Sequence, residues 1–145
     1  MVIIGYPGVG KSTVSKGNYE FIDYDSSRYT KEPGWEEKYV KDILNYSKMG
    51  YIVFVSSHKR VQELLRLSKE EEIIVVYPSL QLREFWIDKL EERYKKTEDA
   101  GDYRALKRCV SNYCEDILEM RALPFKKIEI TEKDYDLESL LRKVC

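Results

Sequence analysis

The chain has 145 residues and a mass of 17.2 kDa, which fits one domain and leaves little room for a second. Hydrophobic residues make up 43% of it, enough for a core of ordinary size, and this argues against a disordered chain. The 25 basic and 26 acidic side chains nearly cancel. Any polyanion that the protein binds must therefore be held by a local cluster of charge.

Cysteine usage and hydropathy bear on the compartment. The three cysteines, Cys109, Cys114 and Cys145, lack the spacing of a metal site, and an odd number is simplest to place in a reducing environment. No apolar run approaches the roughly 20 residues of a membrane span. The segment Met1–Ile4 runs directly into a glycine-rich loop with no basic stretch before it. We therefore expect a cytoplasmic protein that is neither secreted nor bound to a membrane.

Short apolar runs alternate with longer amphipathic stretches, which is typical of an α/β fold. The third and fourth apolar runs are continuous, as expected of buried parallel strands. We expect all five in one doubly wound parallel sheet with helices on both faces. The predicted strands are Val2–Ile4, Glu20–Asp23, Tyr51–Val55, Ile73–Tyr77 and Lys127–Ile130.

The spacing of large side chains predicts the helices that cover this sheet. A polar break at Thr97–Gly101 separates two of them. Nothing marks a domain boundary, so we expect one domain over residues 1–145, with a lid-like helical segment at about residues 79–108. The predicted helices are one over Trp35–Tyr46, a shorter one around Val61–Leu65, a long one over Ser79–Lys96, one that ends near Arg121, and a closing one over Leu137–Val144.

The clearest chemical motif directly follows the first predicted strand. Residues 5–12 read Gly-Tyr-Pro-Gly-Val-Gly-Lys-Ser and satisfy G-x-x-x-x-G-K-[ST]. Glycines allow the backbone to wrap closely around a phosphate, Lys11 supplies a mobile positive charge, and Ser12 is placed to ligate Mg²⁺. We therefore expect a nucleoside triphosphate, ATP with Mg²⁺, to bind at Gly8, Val9, Gly10, Lys11, Ser12 and Thr13.

A phosphate-binding loop alone does not distinguish a switch, a motor and a transferase. The D-x-x-G and N-K-x-D strings that GTPases carry are both missing from the sequence. A chain of 145 residues is also short for a motor ATPase. A small kinase is the leading class.

Polar side chains from Asp23 to Arg28 follow the second strand, at the sheet edge where ligands bind in open α/β folds. We expect Asp25 to orient an acceptor hydroxyl and take its proton, with Asp23 helping to hold Mg²⁺ through water. Alternatively, Asp25 only caps a helix that begins at Ser26, or the two aspartates exchange roles. Arg28 suits either a phosphate clamp or a surface ion pair.

The third strand delivers Ser56, Ser57, His58 and Arg60 to the same edge. Ser56 or Ser57 stands where a Walker B carboxylate often lies. We expect Ser57 and Arg60 to bind substrate. The single histidine, His58, is more typical of a cap or a packed polar residue than of a catalyst.

Phosphoryl transfer needs positive charge over the transferring group, commonly from a mobile helical lid. The break at Thr97–Gly101 offers the flexibility of such a lid. Arg93 is the expected catalytic lid residue, and Arg83 is a candidate for binding substrate. The other basic residues of these helices have acidic neighbours, so we expect most of them in solvent.

With Gly5–Thr13 and Asp23–Arg28, the chain resembles the P-loop kinases of the nucleoside monophosphate kinase and polynucleotide kinase group. The resemblance implies a three-layer P-loop NTPase fold with strand order 2-3-1-4-5. It also implies that Asp25 activates the acceptor hydroxyl, that Arg28 grips the neighbouring phosphate, and that a lid arginine acts in the place given to Arg93.

A closer resemblance, over nearly the whole chain, is to small phage kinases that phosphorylate 5-hydroxymethyluracil within DNA. It is carried by residues 22–27, Val53–His58, Trp86–Tyr94 and Asp134–Leu137. It implies ATP-dependent transfer to a hydroxymethylated pyrimidine in DNA. The alternatives are a kinase of a free nucleotide or small metabolite, an ATPase without acceptor, and a nucleotide-dependent interaction module.

Two features depart from the wider kinase group. Only Ser12–Gly17 separate the loop from the next strand region, where the group has a helix of about three turns. Either the first helix is very short or the strand is displaced. The Asp-Gly-x-Pro-Arg string of many adenylate kinases is replaced by Ser56-Ser57-His58, which counts against a free-nucleotide acceptor.

Overall fold

The structure, a computed structural model, describes residues 1–69 and 72–144. Cys145 lies outside the described residues, and Cys109 and Cys114 are free thiols. Two short 3-10 turns, Ser26–Arg28 and Leu80–Leu82, accompany the main elements. The main elements are β1 Val2–Gly5, α1 Lys11–Gly17, β2 Phe21–Tyr24, α2 Trp35–Lys48, β3 Ile52–Val55, α3 Lys59–Leu67, β4 Ile73–Pro78, α4 Arg83–Thr97, α5 Ala100–Arg121, β5 Lys126–Ile130 and α6 Leu137–Val144.

The five strands form one all-parallel sheet in the order β2-β3-β1-β4-β5, which confirms the predicted topology. The central strand is β1, where Val2 pairs with Val53 on one side and with Ile73 on the other. Every residue of β1 and β4 is buried, as their continuous apolar sequences predict. The loop that follows β1 therefore emerges at the middle of the carboxyl edge of the sheet.

The strand order also determines which helices share a face. The connection from β1 to β2 crosses the sheet in the opposite direction to the connections from β2 to β3 and from β3 to β4. Because such crossovers are right-handed, α1 lies on one face, and α2 and α3 lie on the other. The packing agrees, since α2 contacts α3 while α1 contacts α6.

The first helix is short, which resolves the departure noted in the sequence. Helix α1 has seven residues, and β2 begins at Phe21, one residue later than predicted. Asn18 ends the helix by donating from its side chain to the carbonyl of Val14 at 3.0 Å. The same amide donates to Glu138 of α6 at 2.6 Å, so a side chain from the other end of the chain stabilises the turn.

Helices α4 and α5 form a hairpin beside β4. The predicted break at residues 97–101 is a tight turn, in which Asp99 accepts hydrogen bonds from the amides of Gly101 and Asp102 at 2.7 and 3.2 Å. Helix α5 has a kink at Asn112, where φ is −132° and ψ is 18°, and the sequence did not predict it. Within residues 1–69 and 72–144, no helix has both the length and the apolar character that crossing a membrane requires.

Candidate functional site

The loop between β1 and α1 has a backbone that only glycine adopts easily. Gly8 and Gly10 have φ angles of 88° and 111°, in the left-handed region. A Cβ atom on Gly8 would lie 3.0 Å from Leu90 Cδ2 and 3.1 Å from Trp86 Nε1. The glycines of the motif therefore have two roles here, because they permit the turn and let helix α4 approach the loop.

Two aromatic side chains hold the carbonyl groups of this loop. The Trp86 indole donates to the carbonyl of Pro7 at 2.7 Å, and the Tyr135 hydroxyl donates to that of Val9 at 2.8 Å. Their rings stack with centroids 6.0 Å apart and an interplanar angle of 16°. Trp86 is fully buried, and burial raises the pKa of Tyr135 above its usual value, so both stay neutral donors. The sequence assigned neither Trp86 nor Tyr135 a role at this loop.

A cavity of about 320 Å³ lies against the loop, and we call it the phosphate pocket. It combines residues from three places in the chain, namely the loop and α1, the end of β2, and helix α4. The predicted loop residues other than Val9, whose side chain is buried, therefore lie together with Asp23 and Arg93. The Arg93 guanidinium pairs with Asp102 at 3.1 Å. The pocket is lined by Gly8, Gly10, Lys11, Ser12, Thr13, Asp23, Lys89, Leu90 and Arg93.

Lys11 is a partly buried cation in this pocket. Its ammonium group donates to the carbonyl of Gly5 at 3.4 Å, a long contact. Burial lowers the pKa of Lys11; the carboxylates of Asp23 and Asp25 oppose this shift and Arg93 adds to it. Asp23 and Arg93 line the pocket together with Lys11. An anion bound in the pocket would relieve the desolvation of Lys11.

Lys89 is a second lysine of the phosphate pocket, and nothing in the sequence singled it out for this place. Its ammonium group donates to the Tyr135 hydroxyl at 2.9 Å and lies 4.5 Å from the centroid of the Trp86 ring. Burial, and secondarily Arg93, lowers the pKa of Lys89. Its position four residues before Arg93 on a helix was the available signal, because residues at this spacing share a helix face.

Asp25 lies at the carboxyl end of β2 and caps the 3-10 turn that follows. Its Oδ1 atom accepts a hydrogen bond of 2.9 Å from the amide of Ser27. Asp25 therefore caps this turn, as one of the two alternatives for its role expected. Capping does not compete with proton acceptance, because one carboxylate offers about four lone-pair positions on two oxygens. Asp25 is exposed and lies outside the lining of the phosphate pocket.

Hydrogen bonds join the loops that follow β2 and β3. The Tyr39 hydroxyl donates to the carbonyl of Tyr24 at 2.5 Å and accepts from the amide of Ser56 at 3.3 Å. The Ser26 hydroxyl and His58 Nε2 are 3.1 Å apart. These bonds keep the segment that carries Asp25 beside the end of β3.

His58 stands at the start of α3 without capping that helix through its side chain. Its ring meets the Trp35 ring edge to face, with centroids 5.4 Å apart. Burial lowers the pKa of His58, and Lys31 adds to the shift. The residue is a packed neutral imidazole at physiological pH, in line with one of the two roles expected for it.

A second cavity of about 430 Å³ lies on the other side of the loop, between α3 and α5, and we call it the α3–α5 cavity. Ser57, predicted to bind substrate, lines it. The structure brings it to this cavity and not to the phosphate pocket. The lining residues are Tyr6, Pro7, Ser57, His58, Lys59, Gln62, Arg104, Ala105, Arg108, Asp116, Glu119 and Met120.

Arg28 lines neither cavity but an open groove of about 550 Å³ at the edge of the sheet. Its guanidinium group lies 4.9 Å from the centroid of the Tyr24 ring. Trp35 and Lys38 line the same groove, and the Lys31 ammonium group lies 3.7 Å from the centroid of the Trp35 ring. Glu32 and Asp42 also line the groove, so it combines aromatic rings with charges of both signs.

The other two predicted arginines lie outside the lining of these cavities. Arg60 forms ion pairs with Glu37 at 3.0 Å and Glu63 at 3.4 Å. Arg83 pairs with Glu84 at 2.5 Å and donates to the carbonyl of Val110 at 2.9 Å. Helix phase separates Arg83 from the pocket, since ten residues correspond to about 280° of rotation and place it off the face of Arg93.

The residues of the phosphate pocket fit Mg²⁺ held together with a nucleotide. Among the described residues, no three His, Cys, Asp or Glu side chains form a cluster that would hold a metal alone. Mg²⁺ usually binds through one or two protein oxygens together with substrate phosphates. The hydroxyl of Ser12 and the carboxylate of Asp23, both in the lining, supply such oxygens.

The chain matches no protein-family model and no curated protein sequence. The chemistry assigned to the site therefore rests on its motif and its geometry.

Proposed function

We propose that this protein is an ATP-dependent phosphotransferase of the P-loop NTPase fold, acting on a hydroxyl group of a modified pyrimidine, 5-hydroxymethyluracil, in DNA. The observation that carries the proposal is the phosphate pocket. It unites the glycine loop and Lys11 with Lys89 and Arg93 of α4, and Asp23 lines it from the end of β2. Asp25, two residues further on, influences the pKa of Lys11.

The cations of the pocket have separate roles in this proposal. Lys11 and the loop amides bind the phosphates of the nucleotide, and Lys89 and Arg93 approach from the lid helix. Bound Mg²⁺, with Ser12 and Asp23 as its protein ligands, would neutralise phosphate charge. The pocket brings three cations to one place, and one of them, Arg93, pairs with Asp102 at 3.1 Å. The charge that develops on the transferring group therefore meets Lys11 and Lys89 directly, and Arg93 once it exchanges Asp102 for the phosphate.

Asp25 is the proposed base. The acceptor hydroxyl attacks the γ-phosphorus, a new O–P bond forms, and the bond from the γ-phosphorus to the ADP oxygen breaks. The hydroxyl proton passes to the Asp25 carboxylate, and ADP leaves with the electron pair of the broken bond. Capping by the Ser27 amide orients the carboxylate at the end of β2.

The groove beside Asp25 supports a polynucleotide acceptor over a small metabolite. Arg28 and Lys38 line it together with the rings of Tyr24 and Trp35 and with the carboxylates of Glu32 and Asp42. The Lys31 ammonium group lies over the Trp35 ring. Aromatic rings interleaved with basic side chains are typical of sites that bind the bases and phosphates of a single strand.

A kinase of a free nucleotide is the second candidate function. The α3–α5 cavity favours it, because about 430 Å³ lies within the range of small-ligand sites and needs no polymer to fill it. The two candidates share donor site and chemistry. They differ in whether groups beyond the acceptor nucleotide contribute to binding.

Transfer of labelled γ-phosphate from ATP to a panel of acceptors tests the proposal. The panel holds DNA with 5-hydroxymethyluracil, unmodified DNA with free 5′-hydroxyl ends, 5-hydroxymethyl-dUMP and no acceptor. We expect label in the modified DNA, with kcat/KM falling steeply as salt rises because phosphates are neutralised on binding. Equal activity on the monomer with weak salt dependence would favour the second candidate, and label only in inorganic phosphate would reject both.

A further inference from the structure

The α3–α5 cavity and the phosphate pocket share a wall. Tyr6 and Pro7 line the cavity, and the next residue, Gly8, lines the phosphate pocket. Consecutive Cα atoms are about 3.8 Å apart, so only the backbone of the glycine loop separates the cavity from the phosphate pocket. A group seated in the cavity is thus close to where a γ-phosphate would lie.

The lining of the cavity suits a planar polar ring. Tyr6, Pro7 and Met120 offer apolar surfaces, while Ser57 and Gln62 offer hydrogen-bonding groups. Gln62 is a buried polar residue, only 8% exposed, and its amide makes a long contact of 3.4 Å with the carbonyl of Ser57. A long bond of this kind is weak and readily exchanged for one to a ligand. Uracil presents two carbonyl acceptors and one N–H donor, which an amide and a hydroxyl can pair with.

Charge at the rim of the cavity fits a nucleotide's phosphate. Arg108 is bound bidentately to Asp116, with two hydrogen bonds of 2.8 Å, and Lys59 pairs with Glu119 at 3.2 Å. Within the part of the chain that the structure describes, Arg104 is the lining cation that forms no ion pair. It is exposed and so accessible to a backbone phosphate.

We propose that the α3–α5 cavity receives the acceptor pyrimidine after it has left the base stack. The inference rests on the proposed function and deepens it. With about 430 Å³ between α3, α5 and the glycine loop, the cavity has room for one nucleotide but not for a duplex, so the acceptor base has to leave its stack to enter. Gln62 and Ser57 read the edge of the ring, and Arg104 holds its phosphate.

His58 connects this cavity to the proposed base. It lines the cavity and lies 3.1 Å from the Ser26 hydroxyl through its Nε2 atom, next to Asp25 in the chain. The cavity is therefore joined through His58 and Ser26 to the segment that carries the proposed base.

Two variants test the cavity, each with a matched control. Ala105→Phe adds a ring to the lining and should lower kcat/KM for modified DNA at least tenfold while the Kd for ATP changes less than twofold. Ala122→Phe, at the exposed end of the same helix, should leave both unchanged.

Gln62→Leu keeps the size of the side chain and serves if Ala105→Phe fails to fold, with exposed Gln81→Leu as its control. Losing one recognition hydrogen bond that contributes roughly 1.4 kcal/mol corresponds to a tenfold fall in kcat/KM.

The pairing state of the acceptor provides the second measurement. Wild-type protein should act on hydroxymethyluracil opposite an abasic site at least tenfold faster than on the same base in a full duplex, because unpairing has already occurred. Equal rates on both, with Ala105→Phe as active as wild type, would overturn the proposal and indicate that the hydroxymethyl group is read in the major groove.

A readout independent of transfer separates this inference from the proposed function. A 2-aminopurine placed beside the hydroxymethyluracil brightens when its neighbour leaves the stack. Brightening with wild type but not with Ala105→Phe would support the cavity even if no phosphate were transferred, in which case only the proposed function would fail. No brightening with wild type would reject the cavity, whatever the transfer assay showed.

Discussion

The indole nitrogen of Trp86 and the carbonyl oxygen of Pro7 lie 2.7 Å apart, joined by a hydrogen bond between residues 79 positions apart in the chain. This bond ties helix α4, which supplies Lys89 and Arg93, to the loop that carries the phosphate motif. Helix α4 is therefore attached to the loop through its N-terminal half. Any motion of α4 relative to the loop has to pivot about this bond or break it.

Trp86→Phe removes this hydrogen bond while keeping most of the ring volume. We expect the melting temperature to fall by roughly 2–4 °C, since one buried bond contributes about 1 kcal/mol. The Kd for ATP should rise about fivefold, because the loop loses one of the donors that fix its shape. Calorimetric titration measures it, with Trp35→Phe as a control outside the phosphate pocket. An unchanged Kd would show that Trp86 acts only as a core residue.

Lys11→Met should separate stability from function. Burial lowers the pKa of Lys11, so the folded state disfavours its charge. The unfolded chain binds this proton more readily, and the resulting loss of stability is complete at any pH below the folded pKa and absent above about 10.5. We expect the ligand-free variant to melt a few degrees higher at neutral pH and to lose roughly 10² or more in kcat. Lys16→Met, on the exposed side of α1, is the control. A lower melting temperature would contradict this account of Lys11.

His58 should make the fold sensitive to mild acid. Burial lowers its pKa from the usual 6.5, so the unfolded chain takes up the proton at a higher pH than the folded protein. The free energy of unfolding should consequently fall as the pH drops below about 6.5 and level off beneath the folded pKa. Melting curves between pH 5 and 8 for wild type and His58→Gln test this. Identical pH dependence in the two proteins would assign the effect to other groups.

Much of the fold follows from the sequence because it depends on local signals. The apolar runs of β1 and β4 and the glycine motif between β1 and α1 predict a central strand followed by a phosphate loop, and the structure has that arrangement of strand and loop. In the sequence, the short α1 appears as an unusually small spacing between the glycine motif and β2. Only the structure shows that this spacing reflects a short helix and not a displaced strand.

The site was predicted less completely, because its decisive contacts join distant parts of the chain. Tyr135 reaches the loop across 126 residues, and no local pattern marks it. Lys89 resembles any lysine on a charged helix until the packing of Trp86 sets the phase of α4. Likewise, only the tertiary structure shows that Arg60 pairs with Glu37 of α2 at the surface.

Asp25→Asn tests the proposed base. The amide oxygen of asparagine still accepts the bond from the Ser27 amide, so the cap survives. It cannot take up the acceptor proton, and we expect kcat to fall by roughly 10² or more with little change in melting temperature. Asp23→Asn is the matched variant in the phosphate pocket, where the expected effect is weaker metal-dependent binding of ATP. Retained kcat with lost stability in Asp25→Asn would transfer the base role to Asp23.

The central claim is that the pocket transfers a phosphoryl group to a hydroxyl and does not simply hydrolyse ATP. The most direct measurement is a single-turnover reaction with γ-labelled ATP, in which ADP, inorganic phosphate and phosphorylated hydroxymethyluracil DNA are quantified together. We predict that phosphorylated DNA and ADP form in equal molar amounts and that Lys11→Met forms neither at a measurable rate. ADP that accumulates with label only in inorganic phosphate, at the same rate with and without DNA, would contradict the claim.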